Sequence, residues 1–299
     1  MKPNIEIIAN DNNLCGEGPI WDVAQQRLVW TDISGSLVFH YFPATGKKEI
    51  ITRGLMVAGI ALNRDGALVF AGSTGMHLWR GQDNHKTFLT EHGGETLLFN
   101  DMIADAQGRI YAGTVYWGAN GMEKPGKLYL VDADGSARVV VDGIEMANGL
   151  GFSPDNRTLY HADTSARKIY AYDVDAKSGS LSRKRVFVTV PATEGIPDGL
   201  TVDRDGFVWS AQWYGSQVVR YDPDGKVERR IALPVQQVSS VMFGGDEWNE
   251  LYITSAGEAW PSDYAPPSFD WKRPMGGSLY RVRLDLQGRP EHQANLCPA

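Results

Sequence analysis

Short β-type runs return along the chain at intervals of 40, 42, 49, 49 and 43 residues, and each run follows a turn-forming segment. Periods of about 40–50 residues built from short strands are typical of β-propeller blades. A pair of stacked sheets would not keep such a period over the whole chain. The sequence therefore predicts an all-β chain folded as a six-bladed β-propeller. The six runs are Arg27–Trp30, Ala67–Phe70, Arg109–Ala112, Thr158–His161, Phe207–Ser210 and Glu250–Ile253.

Turn chemistry supports this division into repeats. Aspartate and asparagine bond to their own backbone two residues on, and glycine accepts a positive φ, so such segments favour hairpins. Four turns of this kind precede the first runs, at Asn63–Gly66, Asp105–Gly108, Ser153–Asn156 and Asp203–Gly206. A second run follows each first one, which predicts paired strands in all six repeats. The second runs are Ser36–His40, Met76–Trp79, Lys127–Val131, Lys168–Tyr172, Gln217–Tyr221 and Ser278–Val282.

The two ends of the chain are expected to close the ring. An open propeller would leave an edge strand free to pair with another chain. Ile5–Ile8 is a short apolar run that we expect beside Leu279–Leu284 in the last blade. No linker interrupts the period, so residues 1–299 are predicted to form one domain. The longest insertions, Tyr116–Gly126 and Ala256–Gly277, are expected to serve as lids or specificity elements.

Charge and cysteine content exclude several classes of protein. The chain has 36 acidic and 29 basic side chains, a net charge of −7, which argues against binding nucleic acid. Two cysteines, Cys15 and Cys297, do not make a disulfide framework and suit a reducing compartment. We find no secretory signal at the N-terminus and no apolar stretch long enough to span a membrane. The sequence therefore predicts a cytoplasmic protein without a membrane partner.

Four polar segments at comparable offsets ahead of the hairpins are candidates for chemistry. In a propeller the starts of the innermost strands converge on a central tunnel. Glu17, Asn148 and Asp198 offer only oxygen atoms, which suit hard divalent cations. Asn-Gly and Asp-Gly are also ordinary turn dipeptides, and each alone indicates a turn. Their equivalent places in different repeats favour a shared site. The segments are Gly16–Pro19, Phe99–Asp101, Ala147–Leu150 and Pro197–Leu200.

These motifs carry a family resemblance. Gly16–Trp21, Phe99–Asp101, Asn148–Asp155 and Pro197–Leu200 resemble, in order, the motifs of the senescence-marker-protein/gluconolactonase/luciferin-regenerating family. The resemblance runs from about residue 14 to residue 285. It implies a six-bladed propeller with one catalytic divalent metal ion that hydrolyses lactones, so that the partner is a small-molecule lactone.

The resemblance also implies a role for each site residue. Glu17, Asn148 and Asp198 would be the protein ligands of the metal, and Asp198 would double as the general base. Asn100 would face the substrate or a metal-bound water. The ion expected first is Ca²⁺, with Zn²⁺, Mn²⁺, Mg²⁺ and Fe²⁺ as alternatives, because an oxygen site accepts several. Such an ion polarises a carbonyl and acidifies a bound water, and a ligand carboxylate can take the proton.

Two other functions stay open at this point. One is a non-catalytic calcium-binding or interaction propeller, since a fold alone does not fix a function. The other is a phosphotriesterase-like hydrolase with a similar metal site. The joint presence of Glu17, Asn148 and Asp198 favours an enzyme, and the absence of a Gly-X-Ser-X-Gly motif argues against a serine hydrolase. The sequence leaves the oligomeric state and the physiological lactone open.

One departure from the family predicts a change in substrate. Sugar-lactonase members carry an arginine two residues before the asparagine matched by Asn100, where this chain has Leu98. They also carry acidic residues after the Ala-Gly-Thr strand, where this chain continues with Tyr116 and Trp117. If Leu98, Tyr116 and Trp117 contact the substrate together with Asn100, the pocket favours less hydroxylated lactones. The alternative is that Leu98 points into a blade and the loop has merely drifted.

Overall fold

The computed structural model describes residues 4–118 and 121–298, and the regular structure of these residues is β-strand. Six antiparallel sheets of four strands each form the blades of a six-bladed propeller, which confirms the predicted fold. Within the described ranges, no helix has the length and apolar character needed to cross a membrane.

Twenty-eight strands make up these sheets and two small ribbons. In chain order they are β1 (Ile5–Asn10), β2 (Gly16–Asp22), β3 (Arg27–Asp32), β4 (Leu37–Phe42), β5 (Lys47–Arg53), β6 (Val57–Leu62), β7 (Leu68–Gly72), β8 (Gly75–Gly81), β9 (Asn84–Leu89), β10 (Glu91–His92), β11 (Glu95–Thr96), β12 (Phe99–Ala104), β13 (Ile110–Thr114), β14 (Tyr116–Gly118), β15 (Gly121–Lys124), β16 (Gly126–Val131), β17 (Ala137–Ile144), β18 (Ala147–Phe152), β19 (Thr158–Asp163), β20 (Lys168–Val174), β21 (Leu181–Thr189), β22 (Ile196–Val202), β23 (Val208–Trp213), β24 (Gln217–Tyr221), β25 (Val227–Ala232), β26 (Val238–Gly244), β27 (Glu250–Ser255) and β28 (Ser278–Arg283).

The blades follow one another along the chain. Blade one is β2–β5, blade two is β6–β9, and blade three is β12, β13, β16 and β17. Blade four is β18–β21, blade five is β22–β25, and blade six is β26–β28 with β1 at its outer edge. β1 pairs antiparallel with β28, placing Ile5 opposite Val282 and Asn10 opposite Ser278. This pairing confirms the predicted closure of the ring.

The predicted turns form as their residue types require. In each, the amide of the fourth residue donates to the carbonyl of the first, as from Gly66 to Asn63 over 3.0 Å. The fourth residues, Gly66, Gly108, Asn156 and Gly206, all have φ between 59° and 88°. That region is open to glycine and tolerated by asparagine, so the turn sequences fix these hairpins locally.

The innermost strand of every blade has a register irregularity near its start. These strands, β2, β6, β12, β18, β22 and β26, each contact the next and so line a central tunnel. A β-bulge bends its strand and re-aims a side chain. The bulges enclose residues 18–19, 58, 100–101, 148–149, 198–199 and 239–240.

Asn148-Gly149 and Asp198-Gly199 therefore lie inside strands, not in turns. The glycines allow neighbouring inner strands to approach closely. A Cβ on Gly149 would lie 2.5 Å from the carbonyl oxygen of Asp198, and one on Gly18 would lie 2.8 Å from that of Ala58. Strand packing around the tunnel therefore requires glycine at positions 18 and 149.

We call the end of the tunnel where the inner strands start the upper end, and the end where they finish the lower end. Buried ion pairs lie at the lower ends of three inner strands. In each pair an aspartate at or just after the end of the inner strand meets an arginine of the same blade, and the aspartate is at most 5 % exposed. The residues after β28 run beneath this face, where the amide of Ala294 donates to the carbonyl of Leu62 over 2.8 Å. The pairs are Asp22 with Arg27 (3.0 Å), Asp105 with Arg109 (2.6 Å) and Asp203 with Arg220 (2.7 Å).

Candidate metal centre and substrate cavity

A cavity of about 240 Å³ lies at the upper end of the tunnel. The inner strands of blades one, three, four and five contribute Glu17, Asn100, Asn148 and Asp198 to its lining. Trp117 lines it from the β14–β15 ribbon. The structure thus brings five of the predicted site residues to one cavity, four of them from equivalent offsets in the repeats.

The Glu17 carboxylate is buried beside other acidic groups. It is 8 % exposed, and burial raises its pKa to about 8, with the nearby Asp101 carboxylate adding to the rise. The backbone amide of Gly18 donates to Oε2 over 2.8 Å, and the Ser240 hydroxyl also donates, which lowers the pKa in part. The anionic form of Glu17 is therefore costly without a further positive partner.

Asp198 shares this environment. It is 4 % exposed, and burial raises its pKa well above the usual range, with Glu17 and Asp101 contributing repulsion. A hydrogen bond from the Asn148 side chain acts in the opposite direction. The carboxylates of Glu17 and Asp198 are thus close enough to repel each other, and the Asn148 side chain is hydrogen-bonded to Asp198.

The donor set fits a hard divalent cation. No lysine or arginine among the described residues pairs with the carboxylate of Glu17 or Asp198, although both are buried. Within the described ranges, no three histidine, cysteine, aspartate or glutamate side chains cluster closely enough to bind a metal by themselves. Beside the two carboxylates, the cavity offers the amide oxygen of Asn148 as a further donor, and oxygen ligands of this kind suit calcium, magnesium or manganese.

Asn100 is held at the edge of this group. Its Nδ2 donates to the carbonyl oxygen of Ala147 over 2.9 Å, which bridges β12 to the start of β18. The residue is half-buried and lines the cavity next to Asn148. Its carboxamide is thereby fixed beside the candidate ligands.

Aromatic side chains from three segments roof the cavity. Trp117 packs edge-to-face on Trp260 with ring centroids 5.8 Å apart, and its centroid lies 6.4 Å from that of Tyr264. Trp213, at the end of β23, packs edge-to-face on Trp260 over 6.0 Å. The two predicted insertions therefore meet above the candidate metal site, while residues 119 and 120 of the first lie outside the described residues.

The rest of the wall is mainly apolar. Glu17 and Asp198 are the sole charged side chains among the described residues that line the cavity. Two wall hydroxyls are already engaged: Thr164 Oγ1 donates to the Pro197 carbonyl over 2.8 Å, and Tyr214 donates to the carbonyl of Trp260. The apolar members include Ile33, Val115, Met146 and Ile196.

Leu98 and Tyr116 are not among the lining residues. Leu98 is half-buried, and its carbonyl accepts a hydrogen bond from the Val115 amide over 2.9 Å. Tyr116 is buried, donates to the Thr96 carbonyl over 2.9 Å, and has the Lys124 ammonium 3.9 Å from its ring centroid. Both residues support the base of the ribbon, and their contact with substrate stays a prediction.

Sequence reasoning missed a group of wall residues with a shared place in the repeat. They lie at or just after the end of the second strand of a blade, where Val115 and Trp117 also lie. This position is a signal that could have found them, since those turns open on the upper face. The missed residues are Ile33, Ser34, Thr164, Trp213 and Tyr214, with Trp260, Ser262 and Tyr264 in the longest such turn.

Curated relatives align over almost the whole chain. A pentonolactonase of Haloferax volcanii is 35 % identical over 281 residues, which cover 94 % of each chain. Regucalcin of Xenopus laevis is 31 % identical over 286 residues, covering 93 % of each. A 6-deoxy-6-sulfogluconolactonase of Pseudomonas putida is 31 % identical over 293 residues, covering 97 % of this chain and 98 % of that one.

Solved structures agree with this relationship. A luciferin-regenerating enzyme superposes with a TM-score of 0.88 at 28 % identity, over 98 % of this chain and all of that one. Regucalcin from Agrobacterium tumefaciens, described as a calcium-binding protein, superposes with a TM-score of 0.85 at 26 % identity over 98 % of each chain. These likenesses confirm the resemblance and the lactone-hydrolase class predicted from the sequence. A family model described as the SMP-30/gluconolactonase/LRE-like region matches residues 15–257, and the chain belongs to that family.

Proposed function

We propose that this protein hydrolyses a small lactone to the hydroxy acid, using one divalent cation bound by Glu17, Asn148 and Asp198. One observation carries the proposal: two buried carboxylates and an amide from three blades meet in a cavity, without a lysine or arginine partner among the described residues. Ca²⁺ is the first ion to test, because an oxygen-only donor set suits it and a structural relative is described as calcium-binding.

Each residue has a task in the hydrolysis. A divalent cation in such a site supplies polarisation of the lactone carbonyl and acidification of water. The Asp198 carboxylate takes a proton from the attacking water, and the Asn148 amide orients that carboxylate through its hydrogen bond. The water oxygen bonds to the acyl carbon, the acyl–ring oxygen bond breaks, and the ring oxygen receives the proton. Asn100 is fixed where it can bind the lactone or the water.

The cavity wall supports a preference among lactones. A hydroxyl buried without a partner costs free energy, and this wall offers few free partners beyond the candidate ligands. The cavity of about 240 Å³ suits a small monocyclic ring. We therefore expect sparsely hydroxylated or alkyl-substituted γ- and δ-lactones to react better than gluconolactone. The lactonase relatives named above act on sugar lactones, which are the competing substrates.

The test is a panel of matched lactones with and without ring hydroxyls, assayed on chelated protein with Ca²⁺, Mn²⁺, Zn²⁺ or Mg²⁺ returned singly. We expect hydrolysis only with metal, and a kcat/KM at least about tenfold higher for the less hydroxylated member. Faster hydrolysis of the polyhydroxylated members would overturn the preference alone. Metal binding without turnover of any lactone would refute the lactonase assignment and favour a binding propeller. A phosphotriester in the same panel tests the other hydrolase.

A further inference from the structure

The lid loop, residues 256–277, is anchored at its base by two glutamines that precede β26. Gln237 Nε2 donates to the carbonyl oxygen of Glu258 over 2.6 Å, and Gln237 is fully buried. Gln236 Nε2 donates to the carbonyl oxygen of Asp270 over 2.6 Å. These bonds fix where the loop leaves the blade and returns to it.

The part of the lid loop above the cavity depends on other contacts. Its two aromatic wall residues are Trp260 and Tyr264. The Tyr214 hydroxyl donates to the carbonyl of Trp260 from blade five. Arg167 Nη1 donates to the carbonyl oxygen of Tyr264 over 3.1 Å from blade four. Arg167 therefore reaches the loop at the residue that packs against Trp117.

The same guanidinium also holds the segment that leads into β22. Its Nη2 donates to the carbonyl oxygens of Pro191, Glu194 and Gly195 over 2.8, 2.7 and 3.0 Å. Asp198 follows Gly195 by three residues. The Arg167 side chain is thus hydrogen-bonded both to the lid loop and to the segment that precedes the candidate ligand Asp198.

The geometry of Arg167 is specific to a guanidinium. It lies half-buried in the turn between β19 and β20 with φ of 55°, and its side chain donates hydrogen bonds to backbone carbonyls among the described residues. The neighbouring Glu194 carboxylate pairs instead with Arg230 Nη1 over 2.8 Å. A planar fork reaches several carbonyls in fixed directions, whereas a single ammonium does not.

We propose that Arg167 is a positioning residue that fixes the lid loop over the cavity by joining Tyr264 to the 190–195 segment. The structural part stands on the hydrogen bonds alone, and its effect on catalysis rests on the proposed function. β22 itself is held by its pairing with β23, in which Ile196 lies opposite Trp213. Loss of Arg167 therefore releases the lid loop and leaves the metal ligands in place.

The first measurement needs no substrate. Tyr264 lies in the part of the lid loop that Arg167 holds, so chymotrypsin cleavage between Tyr264 and Ala265, followed by mass spectrometry, reports opening of the loop. We expect Arg167→Gln to raise the cleavage rate about tenfold, because hydrogen bonds from a charged donor are lost, and Arg167→Lys to give an intermediate rate. Arg230→Gln is the matched control, since it removes the contact to Glu194 and none to the loop.

The second measurement is kinetic, on the calcium-loaded enzyme. The roof contacts substrate in the ground and transition states alike, so Arg167→Gln should raise KM about tenfold and change kcat less than about threefold. The Kd for Ca²⁺ should change by less than the about tenfold that is typical when a group orienting a metal ligand is lost, because the ladder of β22 is unchanged.

Wild-type cleavage and wild-type KM in a folded Arg167→Gln protein would overturn the proposal, as would equal effects from Arg230→Gln. If Arg167→Gln does not fold, Arg167→Lys gives the same test, and wild-type behaviour in both measurements overturns the proposal. A wild-type enzyme that hydrolyses no lactone would refute the proposed function, and the chymotrypsin cleavage rates would still test the positioning role.

Discussion

Glu17 and Asp22 lie five residues apart on β2, and Asp198, near the start of β22, is followed five residues later by Asp203, directly after the end of that strand. All four carboxylates are at most 8 % exposed. The two at the lower ends pair with arginines, and the two at the upper ends have no lysine or arginine partner among the described residues. Each of these two strands thus has a buried carboxylate without a basic partner near its start and a buried carboxylate paired with arginine at its other end.

The difference separates acids that have a structural partner from the candidate metal ligands. A buried charge is tolerated when it is paired and hydrogen-bonded, as Asp203 is by Arg220 and by the Trp209 indole at 2.9 Å. At the upper ends the hydrogen bonds come from neutral groups, and the carboxylates repel each other. A bound divalent cation would supply at the upper end what arginine supplies at the lower one.

The largest effect is expected at the upper ends. Glu17→Gln and Asp198→Asn keep the size of the side chain and remove a negative charge from the candidate site. Changes to residues that surround metal ligands typically cost about 10- to 100-fold in activity or affinity. We expect each of these two variants to lower kcat/KM by more than that and to lose Ca²⁺ binding. The circular dichroism spectrum should stay that of wild type. Near-wild-type turnover in either variant would refute the site.

The lower ends should respond in stability instead. Asp203→Asn breaks a buried ion pair, which costs up to about 3–5 kcal/mol of unfolding free energy, since Arg220 keeps its contact with Glu228 over 3.1 Å. Urea unfolding measures this loss, and calcium affinity should stay that of wild type. The control is Asp205→Asn, an exposed neighbour 4.0 Å from Arg220, which should change stability by less than about 0.5 kcal/mol. A weaker calcium affinity in Asp203→Asn would contradict the separate roles assigned to the two ends of the strand.

A smaller effect is expected from removing the metal. A ligand that binds only the folded state at 100 times its Kd stabilises it by about 2.7 kcal/mol. Chelation should therefore lower the Tm of wild type by several degrees and leave the Tm of Glu17→Gln unchanged. A Tm that does not move after verified metal removal would mean that no cation joins the upper ends.

Sequence reasoning reached the ring and the candidate ligands because both depend on local patterns. Turn residues fix each hairpin, and a repeat places Asn148 and Asp198 at the same bulge of successive inner strands. The roof of the cavity had no such pattern. Trp117 and Trp260 are far apart in the chain and meet only through the fold of two insertions.

Leu98 is placed differently from its counterparts in the neighbouring repeats. It stands two residues before Asn100, as Met146 stands before Asn148 and Ile196 before Asp198. Met146 and Ile196 line the cavity and Leu98 does not. The Leu98 carbonyl accepts a hydrogen bond from the Val115 amide at the base of the β14–β15 ribbon. A tertiary contact therefore accompanies the different placement of Leu98.

The central claim is that the upper carboxylates hold one catalytic cation. The most direct measurement titrates Ca²⁺ into metal-free protein while lactone hydrolysis and bound metal are followed together. The account predicts activity that rises with bound calcium and saturates at one ion per chain, with neither signal in Glu17→Gln. Full activity in protein shown by elemental analysis to be free of metal would contradict it.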